Sequence, residues 1–384
     1  MTGTGFVPPA YPYDRLDEAK KLAAGFTGGV IDLSIGTPTD PPPRSVMEAL
    51  AEPADQSGAA RGYPPSIGSL ELRRAVSSWM GSRLGARVGP DSVAACVGTK
   101  EFVATTPQWL RLRHPDRDTV LYPAVSYPTY EMGAVLAGLR AVPVAVDSAW
   151  RLDLSSVAPA DAERALMLWA NTPGNPAGAL DDLASVARWG REHQVAVFSD
   201  ECYAEFTWQG PPRTILGHGG GADGLDGVVA VHSLSKRSNL AGLRVGWYAG
   251  DPDLVGYLKE VRKHAGLMVP GPAQRAAVAA LADAGHVEEQ RERYRARLRV
   301  GQEVLRSVGS ECALPDGGFY LWAPVPERFG DEWEFTDWLA REGGALVSPG
   351  TFYGPAGAGF VRLAMVAPLE SIERLGERLS SSRG

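Results

Sequence analysis

One lysine of this 384-residue chain stands apart from its other cations. Lys236 lies in Ser233-Leu-Ser235-Lys236-Arg-Ser-Asn-Leu-Ala-Gly242-Leu-Arg244. Two apolar, β-branched runs that read as buried strands, Val228–His232 and Val245–Ala249, flank this turn. A lone lysine at a strand end is ordinarily a solvated surface group. This one has the hydroxyls of Ser233 and Ser235 on its N-terminal side and the guanidinium of Arg244 eight positions on. Hydroxyls and a planar fork are donors for an anion, and phosphate is the obvious candidate.

An amine beside a phosphate site is what a pyridoxal-phosphate enzyme needs, because the amine takes the cofactor's aldehyde covalently. The stretch resembles the lysine motif of the fold-type-I, class I/II aminotransferases. Its fuller wording, Ser233-Leu-Ser-Lys-Arg-Ser-Asn-Leu-Ala-Gly242 with Arg262-Lys-His-Ala-Gly-Leu-Met-Val-Pro270 downstream, is similar to the actinobacterial N-succinyldiaminopimelate aminotransferases. The resemblance runs from about Ile31 to Arg374, nearly the whole chain. It implies an α/β protein of the PLP-dependent transferase fold type I. A large, doubly wound, mostly parallel sheet domain would span 41–274, and a smaller α+β domain would combine 1–40 with 275–384. It further implies a homodimer with shared active sites, and amino-acid and 2-oxo-acid substrates. The specific expectation is transfer of an amino group between N-succinyl-LL-2,6-diaminopimelate and 2-oxoglutarate, in lysine biosynthesis. A transaminase for another acidic or aromatic amino acid, or a β-lyase, would use the same cofactor. A non-catalytic sensor of similar fold fits less well with an acidic chain that keeps every catalytic residue.

The elements that must position these groups follow a regular pattern from residue 93. Short apolar runs at Val93–Val97, Thr119–Tyr122, Ala141–Val146, Leu166–Trp169, Val195–Phe198, Val228–His232 and Val245–Ala249 alternate with helix-like segments. Five of them end in polar or aromatic clusters: Gly98-Thr99-Lys100, Pro123-Ala-Val-Ser-Tyr127, Asn171-Thr-Pro-Gly-Asn175, Ser199-Asp200-Glu-Cys-Tyr203 and Ser233-Leu-Ser-Lys236. Ligands of open α/β sheets bind beyond the carboxyl ends of strands, so these clusters converge on one crevice. Helices are expected at Asp14–Ala24, Ser45–Ala51, Ser69–Leu84 (with Ser69 as N-cap), Ala273–Ala284, His286–Val308 and Trp333–Arg341. Strands are expected at Ile31–Ile35, Gly317–Trp322 and Gly359–Ala364. The glycine-rich Gly217–Gly224 lacks a preceding strand and a lysine, so it reads as a flexible surface connection, not a phosphate loop.

Each remaining candidate has two readings. Asp200 alone would serve as a cap or turn residue; with Tyr203 and Asn175 nearby it is the partner of a pyridine nitrogen. In the family, the matching tyrosine and asparagine bind the cofactor's phenolic oxygen. Phosphate contacts would come from Ser233, Ser235, Arg244 and the backbone at Gly98, Thr99 and Lys100, where a helix begins. Lys100 is equally a first-turn surface lysine. Tyr127 is a core tyrosine or the ring that stacks on the cofactor. Tyr63, in Gly62-Tyr63-Pro-Pro, packs a loop or, as the resemblance implies, reaches the partner subunit's cofactor phosphate. Gly36 is a turn glycine or borders the substrate carboxylate. Arg362, in the apolar Phe360-Val-Arg-Leu-Ala364, needs a counter-charge: a structural carboxylate, or the substrate α-carboxylate that the family's matching arginine takes. Phe319-Tyr320 and Phe352-Tyr353-Gly354 would line the substrate channel. Arg237, Lys263 and Arg15 are candidates for reading the distal end of the substrate. Ala177, Thr99 and Leu243 depart from the family's commoner residues, and none belongs to the catalytic set.

Composition narrows the classes. The chain is 44% hydrophobic and 22% charged, as a globular protein is, and its net charge of −7 argues against nucleic acid. The basic run Arg291–Arg299 alternates between helix faces and reads as a solvated helix. Cys96, Cys202 and Cys312 form neither a disulfide framework nor a metal spacing, which fits a reducing compartment. No metal is expected. No apolar stretch spans a bilayer and no signal peptide is evident, so a cytoplasmic location without membrane contact is the expectation.

Overall fold

The computed structural model describes residues 5–51, 61–217 and 224–381. Residues 218–223, most of the glycine-rich connection, lie outside that range.

The described residues form twelve strands: β1 (Ile31–Asp32), β2 (Val93–Cys96), β3 (Thr119–Pro123), β4 (Arg140–Val144), β5 (Ala165–Asn171), β6 (Ala196–Asp200), β7 (Val228–Ser233), β8 (Gly246–Gly250), β9 (Tyr320–Pro324), β10 (Ala345–Leu346), β11 (Ser348–Pro349) and β12 (Phe360–Ala364). Seven of them make one sheet in the order β2-β8-β7-β6-β5-β3-β4. The pairs from β7 through β4 are all parallel, and β8 runs antiparallel to both of its neighbours. The inner strands β5, β6 and β7 are buried along nearly their whole length because helices cover both faces of the sheet there. Neighbouring residues of one strand point opposite ways. Val228 and Ala230 of β7 pack with the helical Leu72, Val76 and Ala276. Val229 and Val231 pack on the other side with Phe102, Leu254 and Leu258. This is the doubly wound, mostly parallel layer expected from the sequence.

The second unit is built on a three-stranded antiparallel sheet, β11-β12-β9, beside the parallel pair β1–β10. Its core joins Ile31 and Leu33 of the N-terminal segment to Leu305, Phe335, Leu363 and Leu375. The expected division between 274 and 275 falls inside the helix Gly271–Ala282. Ala273, Ala276, Ala277, Ala280 and Leu281 of that helix all pack in the core of the large sheet.

Local chemistry explains most element ends. Ser69 caps the helix Leu70–Leu84, its side chain accepting from the Leu72 N–H, and Gly85 closes the helix at φ 68°. The strand expected at Gly317 begins only at Tyr320, because the N–H groups of Gly317 and Gly318 go to the Gly178 and Phe206 carbonyls. The basic run departs from expectation. On the helix Gly285–Ser307, Arg291 and Arg297 are buried, and only part of the run faces water. Arg297 grips Asp40 bidentately at 2.6 and 2.7 Å, and Arg291 donates to the carbonyls of Glu205 and Thr207. Arg291 and Arg297 fall on the inward face of the helix while Arg293 and Arg299 face out, and these acceptors offset the cost of burying the first two.

Candidate active site

The carboxyl ends of the parallel strands open into a cavity of about 450 Å³, within the range of small-molecule sites. Lys236, in the one-turn helix Leu234–Arg237 directly after β7, lies on its wall. Its Nζ donates to the Gly36 carbonyl, on the strap that crosses from the second unit. Burial lowers the Lys236 pKa from the usual 10.5 to about 8, opposed in part by neighbouring acidic groups. An amine poised there is a nucleophile and base near neutral pH.

Asp200 ends β6 and is almost fully buried. Its Oδ1 accepts from the Cys202 N–H at 3.2 Å and its Oδ2 from the Tyr130 hydroxyl at 2.9 Å. Burial pushes its pKa up, and those donors pull against it. No lysine or arginine forms an ion pair with it among the described residues. A buried carboxylate of this kind calls for a cationic N–H inside the cavity.

A second set of donors sits across the floor. Ser233 caps the lysine turn, its Oγ accepting from the Ser235 N–H at 3.0 Å and lying 2.9 Å from the Ser235 Oγ. Arg244 adopts left-handed backbone at φ 53°, and its guanidinium, anchored to the Ala241 carbonyl at 2.8 Å, has no carboxylate partner among the described residues. Gly98, at φ 75°, lies behind it: a Cβ there would collide with the Arg244 guanidinium. Gly98 thus does not line the cavity; it makes room for a group that does. The helix Thr99–Arg113 starts at this point, with the unpaired N–H groups of its first turn beside Ser235 and Arg244. Tyr127 forms a wall. Lys100 is exposed but lines the mouth of the cavity, its ammonium 3.1 Å from the Tyr11 hydroxyl and 5.8 Å from the centroid of the Tyr127 ring.

The opposite wall belongs to Arg362, on β12. It is fully buried, with Nη1 2.9 Å from Asn175 Oδ1 and Nη2 donating to Tyr13 Oη at 3.3 Å and to the Ser34 carbonyl. Its Cζ stands 4.2 Å over the Tyr320 ring. None of these partners is anionic, so a structural salt bridge is not what holds it. Tyr203 and Tyr320 share a hydrogen bond of 2.9 Å between them, and a Cβ on Gly36 would strike the Tyr320 hydroxyl.

Tyr63 is the outlier: it is 95% exposed and is not part of this cavity. Two candidates for the distal end are also elsewhere. Arg237 is buried against Glu205 and donates to Ala280 O at 2.7 Å, because the residue after the lysine points into the core. Lys263 lies on the surface 3.8 Å from Glu260. Arg15 remains exposed, its guanidinium 4.9 Å over Trp333 and 6.0 Å over Phe352. Of the channel residues, Tyr320 lines the cavity and Tyr353 backs Arg362 at 4.9 Å. Phe319 packs in the core with Tyr294, and Phe352 packs under Tyr13, so neither lines it.

Several residues of the cavity escape a sequence reading, among them Tyr11, Tyr13, Val103 and Tyr130. Tyr130 carried a usable signal, helical spacing of three from Tyr127. The N-terminal tyrosines carried none, since only tertiary packing brings them to β12. Among the described residues no group of three His, Cys, Asp or Glu is placed to hold a metal, and no helix is long and apolar enough to cross a membrane.

The residues fit pyridoxal phosphate: an amine for its aldehyde, a buried carboxylate for its ring nitrogen, and hydroxyls, helix N–H groups and a guanidinium for its phosphate. The family model for aminotransferase class I and II matches residues 28–379. The chain is 42% identical to the 4-dedimethylamino-4-oxo-anhydrotetracycline transaminase of Streptomyces rimosus, over 97% of this chain and 99% of that one. It is 33% identical to the LL-diaminopimelate aminotransferase of Aquifex aeolicus, over 98% and 97%. A solved structure, a probable N-succinyldiaminopimelate aminotransferase from Thermus thermophilus, is similar at a TM-score of 0.84 and 31% identity, covering 95% of this chain and 99% of that one.

Proposed function

This protein belongs to the class I and II aminotransferases, pyridoxal-phosphate enzymes that exchange amino groups between amino and 2-oxo acids, and we propose that its substrates are N-succinyl-LL-2,6-diaminopimelate and 2-oxoglutarate. The observation that carries the reaction class is a fully buried, uncompensated Arg362 lining the same cavity as a half-buried Lys236. Two relatives with diaminopimelate-type substrates in their names support the substrate. So does the wording of the lysine turn and of Arg262–Pro270.

When bound, pyridoxal phosphate supplies an aldehyde that takes the amino group and a protonated ring that draws electrons from the breaking bond. The chain supplies the rest. Arg362 forks the α-carboxylate and, with Asn175 beside it, fixes which bond at the α-carbon faces the lysine. The Nζ of Lys236, kept from full protonation by burial, lifts the α-proton as general base. Asp200 stabilises a proton on the ring nitrogen. Ser233, Ser235, Arg244 and the first turn after Gly98 clamp the phosphate dianion. Tyr203 and Asn175 offer donors to the phenolic oxygen, and Tyr127 packs on the ring face.

The substrate's far carboxylate is assigned to Arg15, the distal candidate that stays exposed and without an ion-pair partner among the described residues, its guanidinium over Trp333 and over Phe352, whose ring packs with that of Tyr13. Tyr63, exposed and outside its own cavity, supports a homodimer in which it serves the partner's site. A second reading rests on the 42% identity to the 4-dedimethylamino-4-oxo-anhydrotetracycline transaminase: an amino/oxo substrate pair that does not include a diaminopimelate.

The test is a panel of amino donors incubated with holoenzyme, scored by loss of the cofactor's visible absorption and by glutamate released from added 2-oxoglutarate. Turnover of succinyldiaminopimelate well above glutamate-sized donors supports the substrate. Inertness towards it, with a shorter dicarboxylic donor reacting, removes the substrate and leaves the class. Pyruvate and ammonia in place of glutamate would make the protein a lyase.

A further inference from the structure

Tyr130 lies one helical turn beyond Tyr127, in the first turn of the helix Thr129–Leu136. It is 1% exposed, its ring 5.4 Å from that of Trp169. A buried phenol must find a partner, and this one donates to Asp200 Oδ2 at 2.9 Å. The Cys202 N–H occupies Oδ1. Each oxygen of the carboxylate therefore has one fixed donor, one from the helix after β3 and one from the turn after β6. A carboxylate held at both oxygens cannot rotate about its terminal torsion. Asp200 itself lines the cavity, and a carboxylate oxygen with one donor keeps a second lone pair for another.

We propose that Tyr130 is a positioning residue for cofactor binding and transamination: its hydroxyl holds Asp200 ionised and turned to the cavity, so that the proton stays on the ring nitrogen. The proposal rests on the reading that the cavity holds pyridoxal phosphate. Spacing makes it specific. Tyr127 and Tyr130 share one helical turn, so a single short segment sets both the wall against the ring face and the acid at the ring nitrogen. The Tyr130 N–H to Tyr127 carbonyl hydrogen bond, 3.2 Å, ties the two together. With phenylalanine at 130, Oδ2 has no donor among the described residues, and the carboxylate is both harder to ionise and free to swing.

Other titratable groups face Asp200 and stay in place in the variant. They are Cys202 on its own turn, His232 on β7, Lys236 on the following turn and Cys96 on β2. A change on removing the Tyr130 hydroxyl is therefore attributable to that hydroxyl.

The experiment compares wild type with Tyr130→Phe in two readouts. Cofactor-free protein is titrated with pyridoxal phosphate by equilibrium dialysis from pH 5 to 9, and the holoenzymes are assayed for transamination. The expected loss in cofactor affinity is about ten- to a hundredfold, the fold-change of one hydrogen bond to a buried charge. The acid limb of the affinity profile should move up by about one pH unit, because Asp200 now protonates sooner. A purely structural role would lower the melting temperature without moving that limb. Where Tyr130→Phe folds poorly, 3-fluorotyrosine at 130 keeps the ring and strengthens the donor, and the limb should move down. An unmoved limb in either protein, with affinity within twofold of wild type, overturns the proposal. Failure of the wild type itself to develop visible absorption would instead sink the cofactor reading.

Discussion

Arg362→Lys keeps a buried positive charge and removes the fork, so it isolates what the planar geometry contributes. In the folded chain the guanidinium is held by Asn175 Oδ1, Tyr13 Oη and the Ser34 carbonyl, with its Cζ 4.2 Å from the centroid of the Tyr320 ring. A substrate carboxylate docking on that fork would make two charge-assisted hydrogen bonds, each worth about 1.5–3 kcal/mol. Lysine can make one of them and cannot also keep the contacts to Asn175 and Ser34. The expected cost is one such bond, or about 10- to 150-fold in kcat/KM. The assay is single-turnover loss of the cofactor's visible absorption with each amino donor, with bound cofactor quantified separately. Binding of the cofactor should stay near wild type, since Arg362 does not touch its phosphate floor. A variant within threefold of wild type for every donor would refute the assignment. So would a loss of cofactor binding as large as the loss of turnover.

Three further outcomes follow from the geometry. Between pH 8 and 10.5 the unfolded chain keeps a proton on Lys236 that the folded, cofactor-free protein releases, so stability should rise with pH across that window. Lys236→Met should abolish this rise, a difference on the order of 3 kcal/mol in urea melts at the two ends of the window, and should end turnover in the holoenzyme. Gly98→Ala places a Cβ against Arg244 in left-handed backbone, so dialysis should show at least about tenfold weaker cofactor binding. Glu205 accepts from Arg237, Arg83 and Trp79 inside the core, and Glu205→Gln strands a buried guanidinium beside the lysine turn. Chemical denaturation should report a loss of about 3–5 kcal/mol.

The seven core strands and the clusters at their ends were legible before any coordinates, because period-2 burial on both faces forces uninterrupted apolar runs and turns are punctuated by Gly, Pro and Asn. The same logic misread Arg291 and Arg297. A helix of alternating charges looks solvated until a neighbour such as Asp40, some 250 residues away in sequence, supplies the counter-charge. Phe319 and Tyr320 were indistinguishable as channel residues, since a strand sends neighbours to opposite faces and the sequence alone does not say which face is the cavity.

The sequence by itself determined the chemistry: an amine and an acid, each tied to a strand end by local turn residues, and a guanidinium inside the apolar strand Phe360–Ala364. Only the tertiary structure decided who shares the cavity with them. Tyr13 and Gly36 reach Arg362 and Lys236 across separations of 349 and 200 residues, and Tyr130 reaches Asp200 across 70. Contacts of that range are set by how two cores pack against each other, and packing leaves no periodic mark on the chain.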